Sequence, residues 1–337
     1  MQHVAIDLGG RESQVCIRHP DGSILGEHRH PTRRLGGLLR SWQPSRVVLE
    51  TSAEAFAVAD LALAAGHQVR VVPATLVRQL GVGQRGIKTD RRDARVLSEV
   101  SCRIELPSVH IPSGLSRELK SICGGREALL EARTKLVNNT RGWMRTELWR
   151  IRSGTPATFP DRVHAHALAE GKTLPEHIER QLIVLDELNR QIRAADCQLR
   201  TLAKAHPVCR LLMTVPGIGP VTAVRYVAAL DQVGRFKTAH SVAAYLGLTP
   251  GEHSSSDRQQ RTGITKAGPA ALRRTLVQAA WSAMRTARDE PMVMWAEQVA
   301  QRRGRFIAVV ALARKMAGIL FALWRDGTTY RSLEAPA

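Results

Sequence analysis

Carboxylates are what this sequence is short of: across 337 residues, 30 Asp and Glu stand against 49 Lys and Arg, a formal net charge of +19. An enzyme of a small neutral metabolite has no use for that excess, whereas a polyphosphate partner does. The deficit is uneven. Residues 1–100 carry 14 basic and 10 acidic side chains, while residues 201–337 carry 19 and 8. The N-terminal third therefore keeps its acids, and the C-terminal part has the composition of a polyanion grip. Arginine dominates the basic set, which suits bidentate phosphate contacts. Codon bias would explain Arg over Lys but not the missing acids.

Cysteine is scarce and scattered. Cys16, Cys102, Cys123, Cys197 and Cys209 are odd in number and form no C-x-x-C pair and no zinc-type spacing. This excludes a disulfide framework and a structural zinc site, and fits a reducing cytoplasm. No stretch is expected to reach the roughly 20 apolar residues of a membrane span. MQHVAIDLGG opens on a strand, with no basic region ahead of an apolar one, which argues against secretion. Internal repeats and low-complexity tracts are lacking too. The 44% of apolar residues supports real cores and excludes a disordered chain.

The pattern along the chain predicts three parts, 1–108, 109–206 and 207–337. In the first, residues 3–8 (HVAIDL) read as a buried strand. Val15–Arg18 and Ser23–His28 follow as strands around an Asp21-Gly22 turn. An amphipathic stretch near 33–42, a strand over Arg46–Glu50, a helix over 53–66, a strand over Val69–Pro73 and a helix over Thr89–Ser101 complete it. That order predicts an α/β, ribonuclease-H-like domain, a mixed five-stranded sheet with helices packed on it. The middle part reads as two long helices. One carries Leu115, Leu119, Ile122, Leu129 and Leu136, interrupted by Arg126 and Arg133. The other carries Ile178, Leu185, Leu188, Ile192, Ala195, Leu199 and Leu202, broken at Gln181. SGTPATFP (153–160) between them reads as a bend. Two long helices joined by a loop make an antiparallel hairpin, serving internal packing or a dimerising coiled coil. The third part reads as mostly helical.

Three constellations could carry chemistry. The first is Asp7, Glu50, Asp90 and Asp93. Asp7 ends the first strand, and Glu50 ends the strand beside it in a ribonuclease-H-like sheet. Asp90 and Asp93, three apart, share a helix face. Four converging carboxylates repel one another unless cations sit between them, and oxygen-only ligands suit Mg²⁺ or Mn²⁺. Two such ions about 4 Å apart serve phosphodiester chemistry. Taken singly, each acid has a plainer reading. Asp7 could belong to an actin-like phosphate loop, Glu50 could cap the next helix, and Asp90 and Asp93 could be acids of a solvated first turn. The second constellation is VPGIGPVTA (215–223), whose Gly217 and Gly219 permit a tight turn and bare backbone N–H groups for a phosphate. It is a helix-hairpin-helix signature; the plainer reading is an ordinary corner between helices. The third runs from Leu246 to Trp281. There Ser254, Ser255 and Ser256 lie in a polar loop beside Arg258, Arg261 and Lys266, and a long helix carries Arg273 and Arg274. A serine hydroxyl in that cationic field could attack phosphorus once deprotonated.

Together these residues resemble the DEDD recombinases of the insertion-sequence family "one-ten", which includes the Piv/MooV DNA invertases. Asp7 in AIDLGG, Glu50 in VVLETS and KTDRRDA (88–94) are similar to the family's split metal-binding tetrad. VPGIGPVTA is similar to the start of its C-terminal domain. LTPGEHSSSDRQQRTGITKAGPAALRRTLVQAAW is similar to its terminal signature, of the form P-x-E-x-S-S-G, G-I-T-K-x-G-N, R-R. Two positions depart from it: Ser256 replaces the Gly of Ser-Ser-Gly, and Pro269 replaces the later Asn.

The resemblance implies a transposase with an N-terminal domain like the Holliday-junction resolvase RuvC, an oligomerising coiled coil, and a C-terminal domain whose serine joins covalently to DNA. It aligns Ser255 with the nucleophile and leaves Ser254 and Ser256 as alternates. The composite site would form between subunits of a dimer or tetramer. The implied partners are DNA, both element ends and target, and a structured guide RNA, a bridge RNA from the element itself. The setting would be the bacterial cytoplasm, at the nucleoid. On this reading Asp7, Glu50, Asp90 and Asp93 hold the metal ions, while Lys266, Arg273, Arg274, Arg91 and Arg92 contact phosphates. The alternative is a RuvC-like junction nuclease in which water attacks. A non-catalytic nucleic-acid binder with a decayed tetrad would lack strand breakage, and an actin-like ATPase would need a second phosphate loop that the sequence does not show.

Overall fold

The computed structural model describes the backbone at residues 1–79, 89–255 and 258–331, and side chains there except at 78–79, 253–255 and 258–261. The chain divides into two compact units, Met1–Pro112 and Ser113–Ala337.

The first unit is built on five strands: β1 (His3–Asp7), β2 (Glu12–Arg18), β3 (Ile24–Pro31), β4 (Arg46–Glu50) and β5 (Gln68–Val72). Their order in the sheet is β3-β2-β1-β4-β5, antiparallel from β3 to β1 and parallel from β1 to β5. This is the mixed sheet of the ribonuclease-H-like layout. Side chains alternate across it, because successive residues of a strand face opposite ways. Val4, Ile6, Val47, Leu49 and Val71 face α1 (Leu35–Ser41) and α2 (Ala55–Ala64) in one core. Ala5, Val48 and Val72 face the other way, into a core shared with α3 (Ala74–Gln79) and with Leu97 of α4 (Asp90–Arg103).

The second unit begins with a helical hairpin. Helix α5 (Gly114–Thr146) runs antiparallel to α7 (Glu176–Ala205), and α6 (Phe159–Ala169) lies between them in sequence. Within 153–160, expected as a plain bend, Phe159 and Pro160 already start α6, and Phe159 is fully buried in the hairpin's distal core. The two arginines that interrupt the α5 seam are answered across it. Arg126 pairs with Asp196 at 2.5 Å, and Arg133 donates to Asn189 at 3.2 Å. On α7, Leu182 and Asn189 are buried, while Leu188, Ala195 and Leu202 are only half-buried. The hairpin thus buries one seam within the chain.

Helices α8 (Pro207–Leu212), α9 (Pro220–Leu230) and α10 (Ala239–Tyr245) follow, then a two-stranded ribbon of β6 (Pro250–Ser255) and β7 (Arg258–Ile264). Helices α11 (Ala270–Thr286), α12 (Pro291–Arg303) and α13 (Arg305–Asp326) close the chain. Leu119 and Cys123 of α5 and Leu199 and Ala203 of α7 share one core with α8 through α13, so the hairpin and the C-terminal helices form a single body. The expectation that no stretch approaches a membrane span fails at α13, which has an 18-residue window of mean hydropathy 2.0. The reason is packing: half of that window is buried inside the unit, where Leu312, Met316 and Leu320 form the middle of its core.

Candidate nuclease centre and serine ribbon

The register of β1 and β4 decides where the first two acids stand. The parallel pairing aligns Ala5 with Val48 and Ile6 with Leu49, so Asp7 and Glu50 end adjacent strands side by side. By alternation they share the face of Ala5 and Val48, the face that α4 covers. Polar contacts fix α4 there. Ser101 shares a hydrogen bond with His3 Nδ1 at 2.8 Å, and Ser98 donates to Cys16 at 3.2 Å. Buried Arg18 donates to Ser98 at 3.2 Å and to the Arg95 carbonyl at 3.3 Å. Cys16 pairs with Ala5. Asp93 lies in the first turn of α4, about 7.5 Å along the helix from Ser98. Asp93 is buried, whereas Asp90, at the start of the helix, is exposed. Thr89 caps that start by accepting from Arg92 N–H.

Asp7 and Glu50 therefore stand at one end of the sheet face that α4 covers, and α4 carries Asp93, buried, and Asp90, exposed. The donor set is all oxygen and suits a divalent cation. Among the described residues, no three His, Cys, Asp or Glu side chains close tightly enough to form a ready ion cage. Of the two arginines expected at phosphates, Arg92 is exposed, and Arg91 bonds Glu27 at 2.8 Å.

Glu27 was not expected from the sequence. Its carboxylate is nine-tenths covered and holds both Arg95 and Arg91, tying β3 to α4. The Arg95 guanidinium foremost, with Arg91, holds its carboxyl at about 2, against burial that acts the other way. A folded value below the ordinary 4.5 means stabilisation that is full above that pH and lost as pH falls towards 2. Thermal unfolding followed from about pH 6 down to about pH 2.5 is expected to show that loss, and Glu27→Gln is expected to flatten it.

The serines lie elsewhere in the chain. Ser254 and Ser255 belong to β6 rather than to a polar loop, and Ser255 stands opposite Arg258 in the last pair of the ribbon. Ser256 lies outside the described residues. The base of the ribbon is anchored to α10. Thr265 N–H donates to Thr249 and Lys266 N–H to Gly247. Gly247 (φ +65°), Lys266 (φ +56°) and Gly268 (φ +66°) all take left-handed backbone there. A Cβ on Gly268 would overlap the Tyr245 carbonyl oxygen, and one on Gly247 would overlap Ala267.

The expected phosphate contacts divide. Lys266 is exposed. Arg273 is committed to the backbone, donating to the Leu246 and Ala267 carbonyls at 3.0 and 2.7 Å. Arg274 pairs with Glu127 at 2.9 Å, a carboxylate it shares with buried Arg225. Gly217 (φ +85°) is glycine because α11 presses on it, and a Cβ would overlap the Ala279 carbonyl. Gly219 caps α9 with open space at its Cα.

Two family descriptions and several known proteins are similar to this chain. The family DEDD_Tnp_IS110, described as a transposase, matches residues 4–147, and the "Transposase IS116/IS110/IS902 family" matches residues 209–292. The chain is 29% identical to the "Transposase for insertion sequence element IS1111A" of Coxiella burnetii, over 72% of this chain and 68% of that one. It is 29% identical to the "Probable family 20 transposase" of Pseudomonas aeruginosa, over 98% and 99% of the two chains. It is 30% identical to the Sinorhizobium fredii protein y4pF/y4sB, over 87% and 76%.

Proposed function

Because this chain belongs to the DEDD transposases of the IS110 family, an enzyme class that acts on DNA, we propose that it cuts and rejoins DNA strands through a serine–DNA intermediate. Asp7, Glu50 and Asp93, with Asp90, would hold divalent ions, Mg²⁺ or Mn²⁺. Bound there, such ions supply charge neutralisation at the phosphate and a polarised oxygen. The chain's own part is to set the acids on one rigid face. Parallel β1 and β4 fix two of them, and α4, held by Arg18 and the Glu27 pair, fixes the others. Ser255, with Ser254 and Ser256 as alternates, would attack a backbone phosphorus. Its Oγ loses a proton, an Oγ–P bond forms, and the DNA oxygen departs with the P–O bond. Attack by a DNA hydroxyl reverses the step and frees the serine, so bond energy is conserved for rejoining.

The placing of Asp7 and Glu50 at neighbouring strand ends, on the α4 face, carries this reading. The RNA and the pairing of copies follow from the resemblance to the family, and the phosphate contacts from exposed cations and a bare turn. A structured RNA would bring donor and target together, Lys266, Arg92 and the Gly217–Gly219 turn would meet backbone phosphates, and residues 109–206 would pair copies into dimers and tetramers.

Covalent trapping tests it. The protein, with co-purifying RNA, is incubated with labelled element-junction DNA and Mg²⁺ and then denatured. A labelled protein band is expected, lost in Ser255→Ala and without metal. Cutting with no adduct would assign the attack to water and overturn the serine step.

A further inference from the structure

A groove of about 990 Å³ opens in the second unit, walled by α10, α12, α13 and the base of the ribbon. That is the upper end of the volumes that hold small ligands. Its walls are mainly apolar, and its polar fittings are of one sign. Arg303, Arg314 and Lys315 line it, and among the described residues that line it there is no Asp or Glu; Arg305, at the mouth, lies 4.0 Å from Glu297. Arg314 donates to His240 at 3.4 Å, and Lys315 Nζ lies 4.5 Å from the centre of the Trp295 ring. At the mouth stands Phe306, 82% exposed, with Ile307 beside it, 51% exposed. Arg302 and Arg305 flank the mouth in the sequence Arg302-Arg303-Gly304-Arg305-Phe306, and all five residues are exposed.

An apolar slot with an exposed aromatic ring at its mouth and three cations in its lining suits one chemical form: flat rings joined by phosphates. A lipid tail would not need the stacking face, and an acidic peptide would not need the slot. We propose that this groove takes an unstacked base of single-stranded DNA, which stacks on Phe306 and Trp295 while Arg303, Arg314 and Lys315 hold the flanking phosphates. The inference rests on the proposed function only in taking DNA as partner. It adds a place where a strand is held open beside the base of the ribbon that carries Ser255.

The test is fluorescence anisotropy on the full-length protein with a labelled 12-mer of thymidylate, a duplex of equal length and a 12-mer of uridylate, each titrated at several salt concentrations. Phe306→Ala is expected to weaken binding of the thymidylate strand about tenfold, with duplex affinity and salt slope unchanged. The paired Arg314→Gln and Lys315→Gln change is expected to lower the salt slope by about one to two. Phe306→Tyr should restore binding. Unchanged single-strand affinity in Phe306→Ala, an equal loss on duplex, tighter binding of uridylate, or a change of oligomeric state would each overturn the proposal. Phe306 lies outside the core, so its removal leaves the fold intact. Failure of the serine step would leave these affinities unaltered, and failure of the groove would leave the covalent adduct in place, so the two readings fail separately.

Discussion

Asp7→Asn is expected to lower metal-dependent strand cleavage at least about a thousandfold while DNA affinity stays within about twofold of wild type. The substitution keeps the shape of the side chain and removes its charge. Asp7 stands beside Glu50 at the ends of two parallel strands, and α4, which carries Asp93, covers the same face. A divalent ion at that place is held by summed negative charge, so one carboxylate fewer weakens the hold on the ion and on the reacting phosphate together. The same removal relieves repulsion between neighbouring acids in the metal-free protein. The melting temperature in chelator should therefore be no lower than wild type, which separates lost chemistry from lost folding. Cleavage of labelled element-end DNA is the measurement, and near-normal cleavage would remove Asp7 from the mechanism.

Gly268→Ala is expected to lower the melting temperature of the second unit by about 10 °C, from a loss of roughly 3 kcal/mol. Two costs combine: left-handed backbone at φ +66°, and a methyl group overlapping the Tyr245 carbonyl. The strain falls where the ribbon joins α10, a joint that Arg273 also braces. At temperatures where the unit remains folded, the variant should still form at least tenfold less adduct, because Ser255 is carried by a ribbon with a disturbed base. Gly171→Ala, in the same unit, is the control. Its φ is +63° but no atom lies within 4 Å of the added methyl, so only the conformational cost of about 1 kcal/mol remains. Calorimetry and the trapping gel read the two effects. A Gly268→Ala melting curve no different from that of Gly171→Ala would refute the steric argument.

The centre of the sheet is legible because β1 and β4 are short apolar runs that each end in an acid. Once HVAIDL and RVVLE are neighbours in parallel register, alternation alone places Asp7 and Glu50 together. What holds α4 was not legible. Arg18, Ser98, Ser101 and His3 are ordinary polar residues locally, and they meet only across separations of 80 and 98 residues. PGEHSS and RQQRTGI carry almost no apolar alternation and so read as a loop, whereas the backbone pairs them as β6 and β7 above a hydrogen-bonded base. Arg273 shows the limit of reading charge from sequence. A guanidinium beside a cluster of cations reads as a phosphate contact, yet two backbone carbonyls occupy it. Gly217 was correctly marked as special for its turn, but its closeness to α11 could be seen only once the helices were packed. The break at Gln181 is likewise local. Its amide oxygen accepts from Thr140 across the hairpin, and Leu182 takes the buried place beside it.

Helix α13 supplies much of the second unit's core and follows α9, α10, α11 and α12 in the sequence. During synthesis those helices wait, their apolar faces uncovered, until Arg305–Asp326 emerges. A copy of the gene with a stop codon or frameshift before Arg305 therefore yields a chain whose second unit lacks the helix it packs around. For a mobile element, one lesion there takes away the support of the ribbon that carries Ser255, even though the acids of the first unit are untouched.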